Sequence, residues 1–214
     1  MFKIKRVKKE EIVKISVQSI YEGHHKVTYK GIKAIRCPFD YLIYQMIIWE
    51  VKPDLIIEIG TNIGGGALYI ADLLDGIGNG VIHTIDILDQ VHPIVKEHKR
   101  IKFFTSGWKD YDIELTRGFE KILIIEDASH TYEDTSGILN KFHDIVSKDS
   151  YFIIEDGIIN EIGLEKEYHG GPLKAIREFI PKNQNYIVDK KWCNMFGENA
   201  TFNVNGYLKK VESK

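Results

Sequence analysis

Apolar residues in this chain fall into short runs separated by longer stretches of helical period. "DLIIEIG", Asp54 to Gly60, is a β-branched apolar run closed by glycine, the pattern of a strand buried on both faces. "TNIGGGALYIADLL" follows, with Ala67, Ile70, Ala71 and Leu74 at helical spacing behind three glycines. "GNGVIHTIDI" predicts a turn and a second strand ending at Asp86. "IKFFTSG" predicts a third strand, "KILIIED" a fourth and "YFIIEDG" a fifth, while the stretch just before the fourth has no clear period. Between the fourth and fifth, "EDTSGILNKFHDIV" sets Ile138, Leu139, Phe142 and Ile145 along one helical face. "GGPLKAIREFI" predicts another helix with Pro172 in its first turn, where a missing N–H costs nothing. "NYIVDKKWCNMF" and "ATFNVNGYLKKV" predict two closing strands joined around Gly197.

Strands alternating with helices predict an α/β fold, a mostly parallel seven-stranded sheet with helices on both faces. "CPFDYLIYQMIIWEVKPD", Cys37 to Asp54, predicts a helix leading into the first strand. Residues 1–36 lack a strong period and are expected to form an N-terminal arm or lid over the main domain, 37–214. The length of 214 residues suits one domain with a decorated core.

Charge narrows the partners. The net charge of −2 disfavours a nucleic-acid surface, and the one basic run, "KIKRVKK" from Lys3 to Lys9, reads as a solvated terminal arm. No apolar stretch has the length of a membrane span and no signal-peptide pattern is visible, so a cytoplasmic location is expected. The two cysteines, Cys37 and Cys193, read as free thiols in a reducing compartment.

In an open parallel sheet, ligands bind at the carboxyl ends of the strands. The first strand ends in "EIGTNIGGG". This turn lacks the Gly-Lys-Ser/Thr ending of a P-loop, and its Gly-x-x-x-Gly-Gly spacing is not the Gly-x-Gly-x-x-Gly of dinucleotide folds. Glu58, two residues before Gly60, would repel a pyrophosphate and suits a ligand with an ammonium group, such as S-adenosylmethionine. Asp86, at the end of the second strand, has the place of a ribose-binding carboxylate. Ser106 and Gly107 follow the third strand and could border an adenine.

The tetrapeptide "IIED" ends both the fourth and fifth strands, at Ile124–Asp127 and Ile153–Asp156. If both strands are parallel, Asp127, Glu155 and Asp156 meet on one rim, where like charges repel unless a cation sits between them. All-oxygen ligands suit a hard divalent ion, Mg²⁺ first. Each single Asp could instead cap the following helix. Glu126 is left unassigned, because adjacent strand side chains face opposite ways. His130, in "DASH", is the best general-base candidate; Tyr132, Trp108 and Tyr29 are candidates to line an acceptor pocket.

These segments, together with "EDASHTYEDT" and "NGYLKK", resemble the metal-dependent O-methyltransferases labelled cephalosporin hydroxylase-like or rhamnosyl O-methyltransferase-like, over about Gly31 to Lys209. The resemblance implies a Rossmann-like class I methyltransferase fold and methyl transfer from S-adenosylmethionine to a small-molecule hydroxyl, on a sugar or a glycosylated or secondary metabolite. It implies a metal held by Asp127, Glu155 and Asp156, with His130 as base. Glu58, Gly60 and Asp86 match its donor-binding positions, and Thr61, Asn62, Gly65, Ser106 and Asp127 are further candidates for donor contacts. Gly66 departs from the relatives, which often carry serine there, and removes a hydroxyl contact to the donor. Glu161 to His169 finds no match and is a candidate for substrate choice. No nucleic-acid or membrane partner is expected, and a homo-oligomer is left open. Two alternatives stand beside this reading: an NAD-dependent oxidoreductase on a similar sheet, and a non-catalytic nucleoside-binding module.

Overall fold

The computed structural model describes residues 14–212; the basic run Lys3 to Lys9 lies outside them. The chain opens with a helix α1 (Val17–His24), capped at Ser16, and a two-stranded hairpin of β1 (Thr28–Tyr29) and β2 (Ile32–Lys33). Helix α2 (Pro38–Val51) follows, then β3 (Leu55–Ile59), α3 (Gly65–Ile77), β4 (Val81–Ile85), α4 (Pro93–Lys96), β5 (Ile101–Phe104) and α5 (Gly107–Asp110). The second half runs β6 (Ile122–Glu126), α6 (Tyr132–Phe142), β7 (Tyr151–Ile154), α7 (Gly171–Phe179), β8 (Tyr186–Val188), α8 (Lys190–Cys193) and β9 (Tyr207–Lys210).

The main sheet has seven strands in the order β5-β4-β3-β6-β7-β9-β8. The first five pair in parallel, and β9 pairs antiparallel with both β7 and β8. Every residue of β3, β6 and β7 is buried, as strands covered on both faces require. One face packs on α2 and α3 through Ile43, Tyr44, Ile47, Leu68 and Ile70, with Ile56 and Leu123 from the sheet. The other packs on α6 and α7 through Ile138, Leu139, Phe142 and Ile176, with Ile57 and Ile124 from the sheet. Each such fully buried side chain contributes about 1.5–3 kcal/mol. The chain builds outward from β3 on one side and from β6 on the other, so the strand order reverses between them.

The two closing segments contain less strand than the pattern predicts. Asp189 accepts a hydrogen bond from the Lys191 amide and starts α8, so the strand stops at Val188, and Trp192 and Cys193 turn inward. Before β9 the chain winds through turns that bury Phe202 and Val204 against Cys37. The buried Asp40 carboxylate fixes these turns, accepting from the Phe202 amide (3.0 Å) and from the Thr201 and Tyr207 hydroxyls. The predicted helix over Glu133 to Val146 ends at Phe142 and gives way to a 3-10 turn, His143–Ile145. Both cysteines are free and buried, and among the described residues no helix is long and apolar enough to cross a membrane.

Residues 14–36 pack onto the main domain. Ile32 joins the core, Tyr29 donates to Asp72 of α3 (2.7 Å), and Tyr21 lies against Phe202.

Candidate active site

The ends of β3 and β6 approach more closely at Gly60 than any side chain would permit. Asp127 N–H donates to Ile59 O (2.8 Å), and Gly60, at φ +106°, would place a Cβ 1.8 Å from the Asp127 carbonyl oxygen. Glycine is therefore required here on two counts, a left-handed backbone and a backbone-to-backbone contact.

Around this point lies a cleft of about 450 Å³. Glu58, Gly60, Thr61, Asn62, Gly65, Asp86, Asp127, His130 and Asp156 all line it. Glu58 is almost wholly buried; the Thr84 hydroxyl donates to its Oε2 (2.6 Å), and burial pushes its pKa up to about 7. Thr61 extends this chain by pairing its hydroxyl with Thr84 (2.7 Å). Asp86 organises the glycine turn. Its Oδ2 accepts from the Thr61 and Asn62 amides (3.0 and 2.9 Å) and its Oδ1 from the Ile87 and Leu88 amides. A second cavity of about 300 Å³ adjoins the first at Gly60, Asp86 and Ala128, and is walled by Ile87, Leu88, Gly107 and Trp108. Ser106 precedes Gly107 and lines neither cavity.

Asp127, His130 and Asp156, which also line the cleft, each offer a ligand atom, and these atoms lie within 4.8 Å of one another. His130 Nε2 is 3.3 Å from Asp156 Oδ2, while its Nδ1 is buried without a partner. Both His130 (φ +59°) and Asp156 (φ +54°) hold left-handed backbones, a strain that concentrates at functional sites. Desolvation, with Glu155 adding to it, raises the Asp127 pKa well above the usual carboxylate range. Two carboxylates with an imidazole beside them form a donor set that fits a hard or borderline divalent ion.

Glu155 stands differently from the sequence expectation. It belongs to an ion pair rather than to this trio: Arg36 Nη2 meets its Oε1 (2.6 Å), Arg36 Nε meets its Oε2 (3.1 Å), and the Tyr44 hydroxyl donates to Oε1 (2.7 Å). The physical reason is burial, since a carboxylate at 4% exposure needs a partner and Arg36 supplies it. Arg36 also reaches Asp127 (3.4 Å) and stands 3.8 Å from Glu58. It is the residue sequence reasoning missed. The signal was indirect: four acids on one rim require a counter-cation, and Arg36 precedes the helix that leads into that rim.

The acceptor-side candidates also shift. Tyr29 and Tyr132 are engaged with Asp72 and Glu178, and Trp108 lines the second cavity. The cleft is lined instead by Tyr21, His24 and His25 from the arm and by Leu164 and Tyr168 from the unmatched stretch 161–169. Glu126 is buried away from the cleft, accepting from the Thr135 hydroxyl and the Ala128 amide (both 3.3 Å), and so ties β6 to α6.

A family model described as Rhamnosyl O-methyltransferase/CmcI matches residues 22–211. The chain is 29% identical over 192 residues to a Rhamnosyl O-methyltransferase of Mycobacterium bovis (strain BCG / Pasteur 1173P2), covering 86% of this chain and 78% of that one. A CmcI structure with SAH superposes with a TM-score of 0.67 at 20% identity, over 87% of this chain and 83% of the other. A second CmcI structure, with Mg and SAM, gives 0.66 at 19%, over 88% and 78%. The sheet and its flanking helices are thus those of class I methyltransferases. The chain belongs to the Rhamnosyl O-methyltransferase/CmcI family.

Proposed function

We propose that this chain is an S-adenosylmethionine-dependent O-methyltransferase that uses a divalent ion and acts on a hydroxyl of a small molecule, a sugar or a glycosylated metabolite. The observation that carries this reading is the opening of one cleft onto two sets of groups. Glu58 and the glycine turn line it together with the trio Asp127, His130 and Asp156.

The donor's adenine suits the apolar second cavity, and Asp86, where the cavities join, suits its ribose. Glu58 suits the ammonium of its amino-acid part. Asp127 and Asp156 would hold the ion, with His130 beside them; Glu155 would join them only by giving up one of its two contacts with Arg36. When bound, the ion would lower the pKa of the acceptor hydroxyl and offset the charge of the acids. His130 takes the hydroxyl proton at Nε2, which lies 3.3 Å from Asp156 Oδ2, because Nδ1 is enclosed. The acceptor oxygen forms its bond to the methyl carbon as the carbon–sulfur bond breaks, leaving S-adenosylhomocysteine. Alignment of the two substrates supplies much of the rate, and the arm carrying Tyr21, His24 and His25 would exclude water.

The test is transfer of labelled methyl from S-adenosylmethionine to pooled sugars and glycosides, with and without EDTA. Transfer that EDTA abolishes and Mg²⁺ restores is expected. Full transfer in EDTA would remove the ion from this reading, and calorimetric binding of NAD(H) in place of S-adenosylhomocysteine would replace it with a dehydrogenase.

A further inference from the structure

Arg36 leads from the hairpin into α2 and is 4% exposed. One edge of its guanidinium is occupied by Glu155, and one face lies over the Tyr44 ring at 4.7 Å. The remaining nitrogen, Nη1, is buried and has no hydrogen-bond partner, yet Arg36 lines the cleft. A buried N–H of a charged group left unpaired is costly. The position is one that a ligand completes.

The surroundings of Nη1 say which ligand. A Cβ on Gly66 would lie 3.2 Å from Arg36 Nη1 and 3.1 Å from Glu58 Oε1, so the two charged groups close directly over Gly66, and all three residues line the cleft. Gly66 stands in the first turn of α3, a 13-residue helix whose N-cap, Gly64, makes no side-chain cap. The first N–H groups of such a helix have no intrahelical partner, and an anion is favoured there. This part of the cleft lining therefore presents a cationic and an anionic group side by side. A simple anion would be repelled by Glu58 and a simple cation by Arg36, whereas a zwitterionic α-amino acid satisfies both.

We propose that Arg36 Nη1 and the first turn of α3 bind the α-carboxylate of the methyl donor, with Glu58 taking its ammonium. Arg36 is then a donor-binding residue as well as the partner of Glu155. This assignment rests on the donor reading given under Proposed function.

Three ligands separate the two claims by calorimetry in EDTA-containing buffer: S-adenosylhomocysteine, its decarboxylated analogue, and 5′-methylthioadenosine, which lacks the amino-acid part. The unaltered protein is expected to bind S-adenosylhomocysteine about 10–100-fold more tightly than the decarboxylated analogue, the range of a charged hydrogen bond. The analogue carries the greater positive charge and the cleft is rich in acids, so long-range attraction alone would order the two the other way. Arg36→Gln is expected to reduce S-adenosylhomocysteine to the level of the analogue and leave methylthioadenosine unchanged, and Arg36→Lys to recover part of the loss. Equal binding of the first two ligands by the unaltered protein overturns the assignment, and this comparison needs no variant to fold. Equal weakening of all three ligands by Arg36→Gln overturns it too, because that is the mark of a structural role through Glu155. If neither S-adenosylhomocysteine nor methylthioadenosine binds the unaltered protein, the donor reading falls and this assignment with it.

Discussion

Gly60→Ala tests whether the strand-end contact builds the site. The added methyl would stand 1.8 Å from the Asp127 carbonyl oxygen and 2.5 Å from its carbonyl carbon. Even weak C–H···O contacts keep carbon and oxygen about 3.3 Å apart. Strands β3 and β6 would have to separate by more than about 1 Å at this end, against the 2.8 Å bond from Asp127 N to Ile59 O. Holding φ near +106° costs a non-glycine residue about 1–3 kcal/mol. Overpacking adds about 1–3 kcal/mol. A loss of about 2–6 kcal/mol is expected, which at about 2–4 °C per kcal/mol in a domain of this size lowers the melting temperature by about 4–24 °C. Because Asp127 belongs to both the contact and the trio, the stabilisation by Mg²⁺ or Mn²⁺ should fall as well. Thermal unfolding followed by circular dichroism, with and without the ion, measures both effects. Gly76→Ala is the control: it lies inside α3 with nothing within 4 Å of its added Cβ, and should gain about 0.5–1 kcal/mol. A Gly60→Ala protein that melts within about 2 °C of the unaltered one, with its ion response intact, would refute the reasoning.

Other outcomes follow from the same geometry. Asp127→Asn is expected to abolish thermal stabilisation by divalent ions while changing S-adenosylhomocysteine affinity less than about threefold, or under 1 kcal/mol; equal loss of both would end the separation of ion and donor roles. Glu58→Gln should weaken S-adenosylhomocysteine about 10–100-fold and spare methylthioadenosine, read by calorimetry. Burial pushes the Asp40 carboxyl up to about 7 despite the hydroxyls of Thr201 and Tyr207 that favour its charge. The folded state therefore keeps a proton that the unfolded chain releases near pH 4. The contribution of this group is fully present below that pH and is lost as pH rises towards about 7, by up to a few kcal/mol. Urea unfolding at pH 5 and pH 8 should show a smaller pH difference for Asp40→Asn than for the unaltered protein, and equal differences would sink the assignment.

The sequence by itself determined the layers. Apolar runs at period two or continuous, set between helical stretches, place β3 through β7, because a strand covered on both faces can carry little else. The acidic and glycine-rich strand ends were legible for the same reason: charge and backbone freedom at the end of a buried strand stand out against its apolar interior. Alternation also separated Glu126, which turns to α6, from Asp127, which reaches the cleft. The last two strands were overestimated because local propensity does not report a cap such as Asp189 or a distant anchor such as Asp40. Only the tertiary structure decided how the acids are shared. Burial forces every carboxylate to find a partner, and partners come from wherever the fold brings them. Arg36, 119 positions from Glu155 in the chain, takes that acid and leaves Asp127, His130 and Asp156 together. Likewise the arm and the stretch 161–169 become two walls of one cleft through long-range packing, which no local pattern encodes.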